Sequence, residues 1–218
     1  MSHPAAVIFD MDGVIVDSEP LHERAFLEIV EQIGYRDTHG LNIADFVGRS
    51  DQELWGAFVE RHKPAQKLEE LLTLKRQRVV EILRCEQPLF EGLPELVEDL
   101  AGRYKLALAS GSERAVVDAV LAFKGLGRFF QATVSGSDIP KGKPAPDIFL
   151  RAAQLLGVLP EDCWAVEDSK PGIAAGLAAG MRVIAITNTH PAQELSRATH
   201  VVGTYAEIRR LLLPDSAQ

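Results

Sequence analysis

The sequence predicts an α/β fold, a parallel sheet with helices on both faces, interrupted by an all-helical insertion. Three observations predict it. Residues 95–213 alternate short apolar runs with helical patterns, as in a parallel sheet covered by its own crossover helices. Ala6-Val7-Ile8-Phe9 is long enough for a buried strand and too short for a helix, so it joins that sheet. Residues 18–86 hold helix after helix and no convincing strand. The expected division is a core domain of residues 1–16 and 90–218 and a helical domain of residues 17–89, with hinges near residues 16–18 and 89–92.

Each element follows from a local signal. Ser18 is an expected N-cap, with Pro20 in the first turn behind it. Leu21, Phe26, Ile29, Val30 and Ile33 recur at helical spacing until Gly34 closes the helix. Residues 42–48 read as a short helix. Asp51 opens another, with Leu54, Trp55, Phe58 and Val59 on one face, and Pro64 ends it. A long helix covers residues 66–84. Beyond Pro94 a helix spans 95–102 and strand 105–109 follows. A helix then presents Val116, Val117, Val120 and Leu121. Strand 132–134, helix 146–156, strand 163–166, helix 170–179, strands 182–186 and 200–202 and helix 206–213 complete the pattern. Small residues at Gly172, Gly176 and Gly180 let their helix pack close to the sheet.

Composition narrows the function. The 218 residues are 46% hydrophobic and 25% charged, ordinary for a soluble globular protein. A net charge of −8 argues against a nucleic-acid surface, which needs a basic stripe. It does not exclude an anionic substrate in a locally positive pocket. Cys85 and Cys163 lie far apart without metal-type spacing and read as free thiols, which suits a reducing, cytoplasmic location. No targeting peptide and no membrane span are expected.

Polar residues stand where the strands end. Asp10 and Asp12 follow the first strand on one side of the chain and repel each other unless a cation or a shared proton intervenes. Ser110-Gly111-Ser112 follows the second strand, and Glu167-Asp168 ends the fourth. Lys143 lies in the loop Lys141-Gly142-Lys143-Pro144-Ala145-Pro146-Asp147. The C-terminal ends of parallel strands face one crevice, where open α/β sheets bind ligands. Two anionic clusters, a hydroxyl and a cation converging there suit a metal plus a phosphate. Hard carboxylate oxygens favour Mg²⁺. Singly, each cluster has a plainer reading. Asp-Gly is common in turns. Ser-Gly-Ser caps helices. The proline-rich loop could hold a solvated lysine, with Lys141 as rival, and acidic residues favour a first helical turn. Together and in order, they point to one pocket.

Asp10-Met11-Asp12-Gly13-Val14 resembles the first motif of the haloacid dehalogenase (HAD) superfamily. The run on to Asp17-Ser18-Glu19 resembles its β-phosphoglucomutase-like phosphatase branch, and the resemblance spans nearly the whole chain. It implies a HAD-like three-layer core and a helical cap domain inserted between the first and second motifs. By the same resemblance Asp10 is the nucleophile that forms an aspartyl-phosphate, and Asp12 is the general acid/base. Ser110 matches the second motif and binds a phosphoryl oxygen, with Gly111 and Ser112 offering N–H groups beside it. Lys143, before the family's proline, balances transition-state charge. Mg²⁺ is implied between Asp10, the backbone carbonyl of Asp12, Asp168 and Glu167.

In the cap, His22 shares a face with Phe26 and matches a histidine that couples cap closure to acid/base chemistry in the mutase; it also reads as an edge of cap packing. Arg49, in Gly48-Arg49-Ser50, resembles part of the specificity loop at a shifted position. The mutase carries an arginine where this chain has Asp51. Lys75 aligns with a cap lysine, and beside Arg76 and Arg78 it also reads as one charge on a solvated helix face. These departures weaken a mutase assignment. The first expectation is a Mg²⁺-dependent phosphatase acting on a sugar phosphate or similar small monoester, as a cytoplasmic monomer without nucleic-acid or membrane partners. A phosphosugar mutase is the alternative within the same chemistry. A phosphoacceptor or non-catalytic module would need neither Asp12 nor the cap. A dehalogenase would not need Glu167-Asp168.

Overall fold

The structure is a computed structural model that describes residues 4–46 and 51–213. Its elements run in chain order as β1 (Ala6–Phe9), α1 (Glu19–Gln32), α2 (Asp51–His62), α3 (Leu68–Glu86), α4 (Leu93–Ala101) and β2 (Lys105–Ala109). Then come α5 (Arg114–Leu121), β3 (Ala132–Val134), α6 (Asp147–Leu156), β4 (Cys163–Glu167), α7 (Lys170–Ala178), β5 (Arg182–Ile186), β6 (His200–Val202) and α8 (Tyr205–Leu212). The chain falls into two compact units, Met1–Asp17 with Gln87–Gln218, and Ser18–Glu86.

The first unit is built on a six-stranded sheet in the order β3-β2-β1-β4-β5-β6, and every neighbouring pair is parallel. β1 lies between β2 and β4, and all four of its residues are buried, which is why it reads as an unbroken apolar run. The chain winds outward from β1 through β2 and β3, then outward on the other side through β4, β5 and β6. The switch point therefore falls between β1 and β4, the place where open sheets bind ligands. Register sets what meets there. Phe9 pairs with Leu108 on one side and Val166 on the other, so Asp10 and Glu167 end their strands at the same level, with Ser110 one residue further along. Ile148, Phe149, Ala152 and Ala153 of α6 and Ile173 and Ala175 of α7 pack on Ala107, Ala109, Val134, Ala165 and Val183. Alanines on the sheet face let both helices come close.

The helical unit has its own core of Phe26, Ile29, Val30, Leu54, Trp55, Phe58 and Leu71. The Trp55 ring lies 4.7 Å from Phe26 and 5.5 Å from Phe58. Ser18 precedes α1 as expected, but its side chain makes no cap hydrogen bond, because its backbone is already helical (φ −93°, ψ −19°). The expected helix at 42–48 is a 3₁₀ turn at Ile43–Phe46; residues 47–50, Arg49 among them, lie outside the described residues. The 3₁₀ turns Gly136–Asp138 and Pro160–Asp162, and the 3₁₀ stretch Phe123–Phe129 with its kink at Lys124 and Gly125, are too short to announce themselves by periodicity. No helix among the described residues is long and apolar enough to cross a membrane.

Candidate active site

Asp10 is pinned where β1 ends, its amide donating to the Val166 carbonyl of β4 at 2.9 Å. The chain then turns sharply. The amides of Val14, Ile15 and Val16 all donate to the Met11 carbonyl, and Gly13 takes φ +74°. A Cβ on Gly13 would lie 1.9 Å from Asp168 Oδ2, so only glycine lets the acidic end of β4 reach this turn. Asp10, Glu167 and Asp168 are all buried, and each offers an oxygen within 4.8 Å of the others.

Lys143 enters this acidic cluster from the loop between β3 and α6. Its Nζ lies 2.6 Å from Asp10 Oδ1 and 2.6 Å from Glu167 Oε1. Its rival Lys141 is exposed. Glu167 is fully buried and engaged at both oxygens. Lys143 holds Oε1, while the Asp168 and Ser169 amides and the Ser169 hydroxyl donate to Oε2 at 3.1, 3.3 and 3.0 Å. Ser169 also caps α7 by accepting from the Gly172 amide.

The charges do not balance: three carboxylates face one ammonium. Burial pushes the Asp10 carboxyl well above its ordinary range, against the pull of Lys143. Burial and the neighbouring Glu167 push Asp168 up to about 6. Burial alone would lower the Lys143 ammonium, but the Asp10 and Glu167 carboxylates more than reverse this and hold it above its ordinary value. A buried cluster with surplus negative charge and only hard oxygen donors fits a divalent cation such as Mg²⁺.

Asp12, whose charge also bears on Asp10, reaches the loop beyond β2. Its Oδ2 accepts from the hydroxyls of Ser112 at 2.8 Å and Ser110 at 3.3 Å. The Ser112 amide donates to Ser110 Oγ at 3.0 Å, which folds Ser110, Gly111 and Ser112 into one turn beyond β2. The two aspartates of the first motif thus have different surroundings, one charged and buried, the other lined by hydroxyls.

In the helical unit Lys75 is not on a solvated face. It is 2% exposed, ion-paired with Asp51 and 3.2 Å from His22 Nδ1. It sits on the face of α3 that carries Leu71, Val79 and Ile82 into the interior, a pattern its neighbours Arg76 and Arg78 disguise.

Sequence reasoning missed a further group beyond β5. The Thr189 hydroxyl donates to Asp168 Oδ2 and lies 2.8 Å from His190 Nδ1. Asn188 Nδ2 donates to the Gly13 carbonyl and to the Tyr205 hydroxyl, each at 2.8 Å. Tyr205 in turn donates to the Val14 carbonyl at 2.6 Å. The signal for the first three was the one used elsewhere, a polar run, Thr187-Asn188-Thr189-His190, directly after an apolar strand. Tyr205, in the first turn of α8, carried no such mark.

Comparison with known proteins identifies the family. The profile of the haloacid dehalogenase-like hydrolases matches residues 4–180. Fructose-1-phosphate phosphatase YqaB of Escherichia coli (strain K12) is 35% identical over 184 residues, covering 83% of this chain and 95% of that protein. β-Phosphoglucomutase of Bacillus subtilis (strain 168) is 35% identical over 196 residues, covering 85% of this chain and 84% of that protein. The crystal structure of CbbY from Rhodobacter sphaeroides in complex with phosphate superposes with a TM-score of 0.79 at 26% identity, covering 94% of this chain and 96% of that one.

Proposed function

The chain belongs to the haloacid dehalogenase-like hydrolases, and from that membership we propose that it is a Mg²⁺-dependent phosphatase hydrolysing a small phosphomonoester, a sugar phosphate, through an aspartyl-phosphate on Asp10. The observation that carries the reading is the division between the two aspartates of the first motif. Asp10 lies with Lys143, Glu167 and Asp168 in a buried charged cluster, and Asp12 stands among the Ser110 and Ser112 hydroxyls. Two carboxylates in contrasting environments suit a nucleophile and an acid/base.

In this reading a carboxylate oxygen of Asp10 attacks phosphorus, and the bond from phosphorus to the ester oxygen breaks. Asp12, protonated, gives its proton to the leaving alkoxide. Water then attacks the phosphoryl group on Asp10 while Asp12 takes back a proton, and the bond between phosphorus and Asp10 breaks to release phosphate. Lys143 faces the charge that builds on the phosphoryl oxygens, and Ser110, with the Gly111 and Ser112 amides, binds them. Asp10 and Asp168, with the Asp12 carbonyl, would hold the Mg²⁺, which supplies charge neutralisation between nucleophile and phosphate. Glu167, engaged at both oxygens, mainly holds Lys143 in place. Selectivity for the rest of the substrate is assigned to His22, Lys75 and Arg49. The unpaired Cys85 and Cys163 fit a reducing compartment, and the cytoplasm is the assigned location.

The equal identity to a phosphatase and to a mutase makes the phosphosugar mutase the second reading. Phosphorus NMR of the protein with Mg²⁺ and a panel of sugar phosphates separates the two. The panel includes β-glucose 1-phosphate with a trace of the 1,6-bisphosphate. Growth of inorganic phosphate is the expected result, abolished by chelation and restored by Mg²⁺. Conversion of the 1-phosphate to the 6-phosphate without phosphate release makes the protein a mutase instead. Asp10→Asn is expected to fold and to lose orders of magnitude in kcat; a folded, fully active variant overturns both readings.

A further inference from the structure

We propose that the loop after β5, backed by Tyr205 of α8, is a positioning clamp for the metal end of the site: Thr189 aims Asp168, and Asn188 with Tyr205 holds the Gly13–Val14 backbone. All four residues involved, Asn188, Thr189, His190 and Tyr205, follow residue 180, where the family match ends.

The hydrogen count admits one arrangement. Gly13 O can only accept, so Asn188 presents its NH₂ there, and its second hydrogen serves the Tyr205 oxygen. The single hydroxyl hydrogen of Tyr205 is then spent on the Val14 carbonyl. The single hydroxyl hydrogen of Thr189 goes to Asp168 Oδ2, since an ionised carboxylate only accepts. His190 Nδ1 must therefore be the donor to Thr189 Oγ1. Every donor is used once. The network ties the end of β5 to the two chain segments that carry the proposed metal ligands, the turn after β1 and the end of β4.

Packing closes the same arrangement. A Cβ at Gly13 would meet Asp168 Oδ2 at 1.9 Å and Thr189 Cγ2 at 2.9 Å, so the three residues touch with no room to spare. With Oδ2 directed at Thr189 and Gly13, Asp168 has one carboxylate orientation, which leaves its other oxygen for the ion. Groups that orient a ligand in this way govern metal affinity as well as geometry.

The clamp rests on the reading of Asp10 and Asp168 as metal ligands, and the test keeps the two apart. Mn²⁺ binding is titrated by the electron paramagnetic resonance of the free ion, with no substrate present. Thr189→Val keeps the shape and removes the hydroxyl; its dissociation constant should rise by about ten-fold or more. Thr189→Ser keeps the hydroxyl and should stay close to wild type. Metal-free melting of Thr189→Val should also stay close to wild type, while its stabilisation by Mg²⁺ shrinks. Wild-type affinity in Thr189→Val overturns the clamp, as does an equal loss in Thr189→Ser. Should Thr189→Val not fold, Thr189→Ala, which also removes the hydroxyl, is titrated instead, and unchanged affinity there overturns it equally. If the wild-type protein itself binds no Mn²⁺, it is the metal-site reading that has failed.

Discussion

Gly172 sits in the first turn of α7, and a Cβ built there would lie 1.8 Å from Glu167 Oε1. In the sequence this glycine belongs to a stripe of small residues that marks close packing of a helix on the sheet. The structure gives it a second task, making room for the carboxylate that holds Lys143. Gly172→Ala must push α7 outward or swing Glu167 off Lys143. Overpacking of this kind costs about 1–3 kcal/mol. Metal-free thermal unfolding should show that loss, and kcat should fall with it because Lys143 loses one of its two anchors. An alanine variant with wild-type melting and wild-type turnover would show that the helix yields without disturbing the site.

Among the elements, α1, α2 and α3 carry a core of their own. Trp55 is fully buried and packs its ring on Phe26 and Phe58 of the same unit. Truncating such a side chain costs about 3–5 kcal/mol. Trp55→Ala should therefore strip hydrogen-exchange protection from α1–α3 while the amides of β1, β2 and β4 stay protected. Equal loss in both sets of amides would mean that the two units unfold as one. The periodicity of Phe26, Ile29 and Val30 and of Leu54, Trp55 and Phe58 made this core legible. It did not reveal Lys75, because a lysine followed by Arg76 and Arg78 reads as surface until the helix is seen to turn it inward.

At the scale of the whole molecule, the surplus of buried carboxylates ties stability to pH and metal together. Asp168 is raised from the ordinary 3.8 to about 6, and Asp10 is raised as well. A carboxyl raised on folding binds its proton more tightly in the native state. The metal-free protein therefore loses stability from this site as pH rises through that window. A bound cation needs these groups deprotonated, so it competes with protons at low pH. The rise in melting temperature given by Mg²⁺ should accordingly be large at pH 7.5 and small at pH 5. A shift as large at pH 5 would mean that Mg²⁺ acts away from Asp10 and Asp168.

The alternation of strands and helices, the inserted helical block and the four polar strand ends were all legible in the sequence. These are local signals: a period of two or 3.6 residues and the point where an apolar run stops. β2, β3, β5 and β6 begin and end where the pattern placed them. What each polar group touches was settled by folding. It turned Lys143 onto both Asp10 and Glu167, gave Asp12 to the two serines, and buried Lys75 against Asp51 and His22. It also brought Tyr205 to Val14 across 191 residues of chain. Such contacts follow from strand register and from the space left by glycines, and neither is written in any short window of sequence.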